Sequence, residues 1–261
     1  MEIFRCDKPL IGVVHLPPLP GSPRGVLSLD EICERALRDA KAYSEGGMDG
    51  IILENYGDAP FYPQRVGSET IASMTHIATK LTEEVDLPLG VNVLRNDALA
   101  AISIAYAVGG KFVRINVLSG AMVTDQGVIE SEAHKVLRFR KALGAEKIKI
   151  FADVHVKHGV GLGERPIELE ARELLNRSLA DALIVTGKAT SMEADINEIR
   201  RIKEKIPQSK VLAGSGVNKS NLKKYLAICD GVIVGTYLKK NGVTENPVDY
   251  NRVKEFVTAR D

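Results

Sequence analysis

A chain of 261 residues is long enough to bury one large core, as a single barrel-type α/β domain or as two ordinary domains, and its 44% hydrophobic and 26% charged content excludes a predominantly disordered state. The 35 basic and 34 acidic residues leave a net charge of +1, which argues against an electrostatic nucleic-acid binder; the absence of tryptophan and an aromatic content of 5% argue against a stacking platform for single strands. Cys6, Cys33 and Cys229 are odd in number, far apart and outside any CxxC, so reduced thiols in a cytoplasmic protein are expected rather than a disulfide framework or zinc knuckle. The N-terminus lacks the apolar core of a signal peptide. The longest apolar stretch, 98–108, falls short of the ~20 residues of a membrane span, so no transmembrane segment is expected, while peripheral membrane association stays open.

Short β-branched apolar runs bounded by Gly, Asp or Pro recur over residues 10–16, 50–55, 89–94, 112–117, 149–156, 182–187, 211–215 and 231–236, and each reads as a buried strand. The first ends in His15 and runs into a Pro- and Gly-rich segment, 17–28. A helical face of Ile32, Ala36, Ala40 and Tyr43 precedes the second, which ends in Glu54 and Asn55 and opens a long segment, 56–66. Ile71, Met74, Ala78 and Leu81 form the next helical stripe. The third strand carries Asn92 between Val91 and Val93. The fourth carries Arg114 and Asn116 between outward-facing Val113, Ile115 and Val117, and a loop over 119–127 follows. In the fifth, Ile148, Ile150, Ala152, Val154 and Val156 alternate with Lys149, Phe151, Asp153, His155 and Lys157, and a loop with three glycines spans 158–165. Ile167, Ala171, Leu174 and Leu175, then Ile196, Ile199, Ile202 and Ile206, mark helices on either side of the sixth strand, which runs into Thr186-Gly187-Lys188. The seventh leads into Ala213-Gly214-Ser215-Gly216-Val217 and the eighth into Gly235-Thr236. Asn246 followed by Pro247 signals the start of the last helix, with Tyr250, Val253 and Val257 facing inward.

Strict strand–helix alternation implies a parallel sheet, and eight units of about 33 residues predict one α/β domain over 1–261, a (β/α)8 TIM barrel. An open doubly wound sheet would show a Gly-rich turn after the first strand, where this chain has His15-Leu16-Pro17-Pro18. Asp49, Asp181 and Asp230 each lead from a helix into a strand and read as equivalent turns at the stability face. The long segments all follow strand C-termini, on the rim where barrels place their sites.

Strand periodicity turns Asp153, His155 and Lys157 toward the barrel axis as one column, where an acid, an imidazole and an amine exchange protons and shift one another's pKa. Asp153 is expected as general base or as stabiliser of a carbanion or oxocarbenium ion, His155 or Lys157 as proton shuttle, and Glu54 as second acid or holder of hydroxyls. His15, Asn55, Asn92, Arg114, Asn116 and Thr186 are expected to orient substrate oxygens, because charged and amide groups inside a barrel must be paired or wet. Gly214, Ser215, Gly216, Gly235 and Thr236 form a candidate phosphate cradle of backbone N–H groups and hydroxyls. Four potential ligands, His15, Glu54, Asp153 and His155, lie at strand ends, but with no HxH or HExxH pattern neither a metal nor another cofactor is expected. A Schiff base on Lys157 or Lys188 is a further option.

The motifs IGVVHLPPLPGSP at 11–23, DGIILENYGDAPF at 49–61, VNVLRND at 91–97, FVRINV at 112–117, TDQG at 124–127, ADVHVKH at 152–158, GSGV at 214–217 and VGT at 234–236 resemble those of the BtpA/SgcQ family over essentially the whole chain. Ser131 and Ser191 stand where the resemblance leads one to expect glycine. The resemblance implies a barrel enzyme, with a peripheral thylakoid role in photosystem I biogenesis in cyanobacteria and a nucleosidase-like, sugar-linked branch. The expected function is therefore a lyase, isomerase or glycosyl-bond hydrolase acting on a small phosphorylated sugar- or nucleoside-like metabolite, as a homo-oligomer. The alternative is a non-catalytic assembly factor for membrane complexes, which calls for an empty or filled-in barrel mouth and an exposed apolar patch.

Overall fold

The computed structural model describes residues 1–163, 165–187 and 192–260. Eight parallel strands close on themselves: β1 (Leu10–His15), β2 (Gly50–Glu54), β3 (Leu89–Asn92), β4 (Phe112–Ile115), β5 (Lys149–Asp153), β6 (Ala182–Val185), β7 (Val211–Ala213) and β8 (Val232–Val234), in the cyclic order β1-β8-β7-β6-β5-β4-β3-β2. Between and after them run α1 (Leu29–Glu45), α2 (Ser68–Glu84), α3 (Ala98–Val108), α4 (Ala133–Ala142), α5 (Ile167–Asn176), α6 (Ile196–Lys205), α7 (Leu222–Leu226) and α8 (Tyr250–Thr258). The predicted (β/α)8 barrel is the observed fold. No described helix is long and apolar enough to cross a membrane.

Local sequence accounts for the helices. Ser28 caps α1 in a capping box with Glu31, and Ile32, Ala36, Ala40 and Tyr43 bury one stripe against the sheet. Asp97 caps α3, whose body is apolar on nearly every side and buried accordingly. The start expected at Asn246-Pro247 is displaced: Asp249 is the N-cap of α8, accepting from the N–H groups of Asn251 and Arg252, while Asn246 bonds back to the Lys240 carbonyl. Tyr250 is consequently exposed rather than inward, and Val253 and Phe256 supply the inner face.

The three aspartates at helix-to-strand turns share one geometry. Asp49 accepts from the Leu10 N–H at 2.8 Å, Asp181 from Ile150 at 2.9 Å and Asp230 from Val211 at 2.9 Å. Each thus fastens the start of an even-numbered strand to the odd-numbered strand before it, and each meets a cation, respectively Arg260, Arg140 and Lys203.

Inside the barrel the lower half is apolar. Ile11, Val13, Ile52, Phe112, Phe151, Ile184, Leu212 and Ile233 fill it, and Phe4 closes the floor with its ring 5.7 Å from that of Phe112. Polar interior residues therefore collect in the upper layer, at the strand C-termini. Above that layer, segments expected as loops form a small antiparallel sheet: residues Ala121–Thr124 pair with Gly127–Glu130 on one side and Gly159–Gly161 on the other. Runs of three or four residues, two of them glycine-bounded, carry too few alternations to read as strands. Met122 and Ile129 are buried in this sheet and cluster with Val117 and Val156. Ser131 closes its hairpin, donating its hydroxyl to the Leu118 carbonyl. Ser191 lies outside the described residues.

Candidate functional site

The upper interior layer is built from adjacent strand ends. Register places His15 opposite Glu54, and Glu54 opposite Asn92, so β1, β2 and β3 deliver their polar groups at one height. Arg114 on β4 donates from Nε to Asp153 Oδ1 and from Nη2 to Asp153 Oδ2, both at 3.0 Å, a bidentate pair across β4 and β5. Asn116 Nδ2 adds a third bond to Asp153 Oδ2 at 2.9 Å. Asn92 Nδ2 bonds Asn116 Oδ1 and the Arg114 carbonyl, both at 3.1 Å, while its own Oδ1 is buried without a partner. Glu54 Oε2 stands 3.8 Å from Arg114 Nη1. Burial works against the Arg114 charge, but Asp153 and Glu54 more than offset it and raise its pKa.

Two cavities open over this layer. The larger, about 1000 Å³, is walled by the β1 and β2 loops, with Arg95, Arg114, Asn116 and Lys157 at its base. The smaller, about 250 Å³, lies against Gly214, Ser215, Gly216, Gly235, Thr236 and Arg252. His15, Glu54, Arg114 and Lys157 line both. The wall of the larger cavity is fixed by its own loops: Asp58 accepts from the Leu19 N–H at 2.7 Å and from Asn55 Nδ2 at 3.0 Å. Gly57 crosses the β1 loop so closely that a Cβ there would lie 2.4 Å from the Pro18 nitrogen.

The two candidate cradle loops meet at the smaller cavity. Gly216 takes a left-handed φ of +66°, and a Cβ on it would fall 2.4 Å from the Glu193 backbone. Asn221 fixes this loop through the Gly216 carbonyl and Glu193 Oε1, both at 3.0 Å. Thr236 Oγ1 is bonded to Thr244 Oγ1 at 2.8 Å. Gly235 leaves room for the His15 ring, whose Cε1 would be 2.5 Å from a Cβ there. Burial first, then the charges of Lys239, Lys157 and Arg114, push the His15 pKa well below the ordinary value, so its ring is neutral; its Nδ1 is buried without a partner.

The expected inward column is broken after Asp153. β5 makes its last ladder pair there, with Ile184, and period two no longer governs the chain beyond it. His155 turns out to α5, where Nε2 lies 3.1 Å from Glu170 Oε2 and the side chain is 41% exposed; it lines neither cavity. Thr186 likewise lines neither cavity: its hydroxyl holds the His155 carbonyl at 3.1 Å. Asn55 serves the backbone instead of the cavity, accepting from the Leu94 N–H at 2.7 Å. Lys157 does return to the mouth. Burial, then the neighbouring Arg114, lowers its pKa, with Glu54 and Asp153 opposing. Lys188 lies outside the described residues. Among the described residues no three His, Cys, Asp or Glu side chains stand together as a metal site would require.

Sequence reasoning missed Arg95 and Arg252. Arg95 is buried, lines the larger cavity and donates to the Lys157 carbonyl. It lies past the end of β3, where strand alternation gives no orientation. Arg252 lines the smaller cavity with its guanidinium 4.8 Å over the Tyr237 ring, though it sits on a helix at the far end of the sequence.

The sequence profile of the BtpA family matches residues 6–261. A Thermococcus kodakarensis protein is 48% identical over 250 residues, covering 96% of this chain and 94% of its own. The photosystem I biogenesis protein BtpA of Synechocystis sp. is 42% identical over 258 residues, covering 99% and 90%, and the putative sgc region protein SgcQ of Escherichia coli is 33% identical, covering 98% and 95%. Among solved structures, N-(5'-phosphoribosyl)anthranilate isomerase from Pyrococcus furiosus superposes with a TM-score of 0.58 at 14% identity, covering 97% of this chain and 98% of that one. Orotidine 5'-phosphate decarboxylase from Pyrococcus horikoshii gives 0.58 at 18%, covering 96% and 98%. At these identities the likeness is one of fold.

Proposed function

Since the chain belongs to the BtpA family and its barrel mouth joins a charged well to a glycine-lined pocket, we propose that it is an enzyme acting by acid–base chemistry on a small phosphorylated metabolite, sugar- or nucleoside-like. One observation carries the reading: the two cavities share His15, Glu54, Arg114 and Lys157, so a ligand anchored in the smaller pocket lays its body across a wall that holds both acid and amine. A phosphoryl group there meets Ser215, Arg252 and the backbone of 214–216 and 235–236. Arg114, locked by Asp153, is preorganised to receive negative charge developing on a substrate oxygen. Both oxygens of Asp153 are committed to that task, so the base falls to Glu54, whose carboxylate makes no hydrogen bond to another described residue, and Lys157 on the same wall relays the proton. Lyase, isomerase and glycosyl-bond hydrolase chemistry all use such a set.

Thermal unfolding with inorganic phosphate, ribose 5-phosphate and ribose tests this. The two phosphates are expected to raise the Tm and ribose alone is not; binding at a hundredfold excess over Kd stabilises by about 2.7 kcal/mol. Gly216→Val drives a side chain into the Glu193 backbone and is expected to abolish the response. No rise with either phosphate would refute the reading. A second reading, an assembly factor, is favoured by an exposed cross-strand row on the small sheet: Val128, Val123 and Val160, 51%, 45% and 71% exposed. Val123→Lys with Val160→Lys separates the two, since it leaves phosphate binding intact and disrupts only a function that needs that face.

A further inference from the structure

We propose that Lys157 is a covalent nucleophile whose amine forms an imine with an aldehyde or ketone carbon of the substrate. The inference rests on the phosphorylated-metabolite reading above and names the functional group that reacts. It begins from a contrast between two inward lysines. Lys239 is fully buried and answers burial in the usual way, with Nζ 2.6 Å from Asp39 Oδ2. Lys157 lines both cavities at their junction, yet its Nζ makes no hydrogen bond or ion pair with another described residue. Of the two carboxylates whose charge bears on it, Glu54 and Asp153, the second is held by Arg114 and Asn116. The backbone at Lys157 is fixed by Arg95, which donates to its carbonyl, so the amine is presented from a pinned position.

Its surroundings ease loss of the ammonium proton. Burial and the guanidinium groups of Arg114 and Arg95 disfavour an ammonium there, while Glu54 and Asp153 act the other way, and the net effect lowers the pKa of the amine. The step balances without an oxidant or reductant. The nitrogen lone pair adds to the carbonyl carbon, and the C=O π pair moves to oxygen, beside Arg114. Glu54, on the same wall, relays the first amine hydrogen to that oxygen. The C–O bond then breaks, the oxygen leaves as water with the second amine hydrogen, and the C=N bond forms. An imine at this position withdraws electrons from the adjacent carbon, the demand that lyase and isomerase chemistry share.

The test uses glyceraldehyde 3-phosphate, which carries both a phosphate and an aldehyde, with borohydride added as the reductant that converts an imine to a stable secondary amine. Peptide mass spectrometry is expected to find Lys157 as the first lysine modified, with modification suppressed by excess inorganic phosphate and missing from Lys157→Met. Trace acetylation with acetic anhydride from neutral to alkaline pH, in the absence of any carbonyl ligand, is expected to show Lys157 reacting at lower pH than exposed Lys254. Adducts spread over surface lysines with Lys157 no faster, or acetylation of Lys157 in step with Lys254, overturns the proposal. If phosphate raises the Tm while Lys157 stays unmodified, the imine falls and the phosphate reading stands. If Lys157 is modified first but phosphate neither protects it nor raises the Tm, the nucleophile stands and the phosphate reading falls.

Discussion

Glu170 holds the His155 imidazole from outside the barrel, and the hydrogen bond between them is the main reason the histidine titrates above its ordinary value, against the opposing pull of burial. A group with a raised folded pKa stabilises fully below its unfolded pKa and loses that contribution as pH climbs through the folded value. The pair should therefore support the fold below pH 6.5 and fade above it. Glu170→Gln is expected to flatten this part of the Tm–pH curve and to leave the phosphate response unchanged. Glu54→Gln should do the reverse: thermal stability and phosphate binding hold, while turnover of the phosphorylated substrate drops by roughly 10²–10⁴, the usual worth of a general base. Equal losses in binding and turnover would instead make Glu54 an anchor.

Above the last backbone ladder pairs, side-chain amides take over the work of the sheet. Asn55 bonds both the N–H and the carbonyl of Leu94, at 2.7 and 3.4 Å, and Asn96 does the same to Val117, at 2.8 and 3.0 Å. Each continues pairing between neighbouring strands into segments too irregular for it. Asn55→Ala leaves the buried Leu94 N–H without that partner and should cost about 1–3 kcal/mol in urea unfolding, with weakened phosphate-dependent stabilisation as the β2 loop loosens. This is also the level at which the sequence stops being readable. All eight strands and the inward turn of Glu54, Asn92, Arg114 and Asp153 follow from alternation, because ladder pairing enforces period two. His155, Asn55 and Thr186 lie one or two residues past a strand end, where only three-dimensional neighbours decide orientation. The small sheet was hidden for a related reason: its third strand finds its partner far back along the chain, Gly159 pairing with Thr124 and Gly161 with Met122.

At the scale of the molecule, the charged layer and the apolar packing occupy opposite ends of one cylinder. The charged layer at the mouth stands on stacked Phe112 and Phe151, ring centroids 4.6 Å apart, and on Phe4 beneath them. Phe4→Ala should cost about 3–5 kcal/mol in denaturant titration while the phosphate response survives, because the void opens far from the cradle. A fall in both would show that the floor positions the mouth. The aspartates at the turns into β2, β6 and β8 carry a separate consequence. Their bonds to the backbone fall inside three two-strand modules, β1–β2, β5–β6 and β7–β8, while two of their cations, Arg140 and Arg260, reach in from outside the module they serve. A chain severed at Gly144, between β4 and the β5–β6 module, should thus reassemble from two co-expressed pieces. One severed at Leu179 parts Asp181 from Ile150 and should recover poorly, as native mass spectrometry of the pairs would reveal.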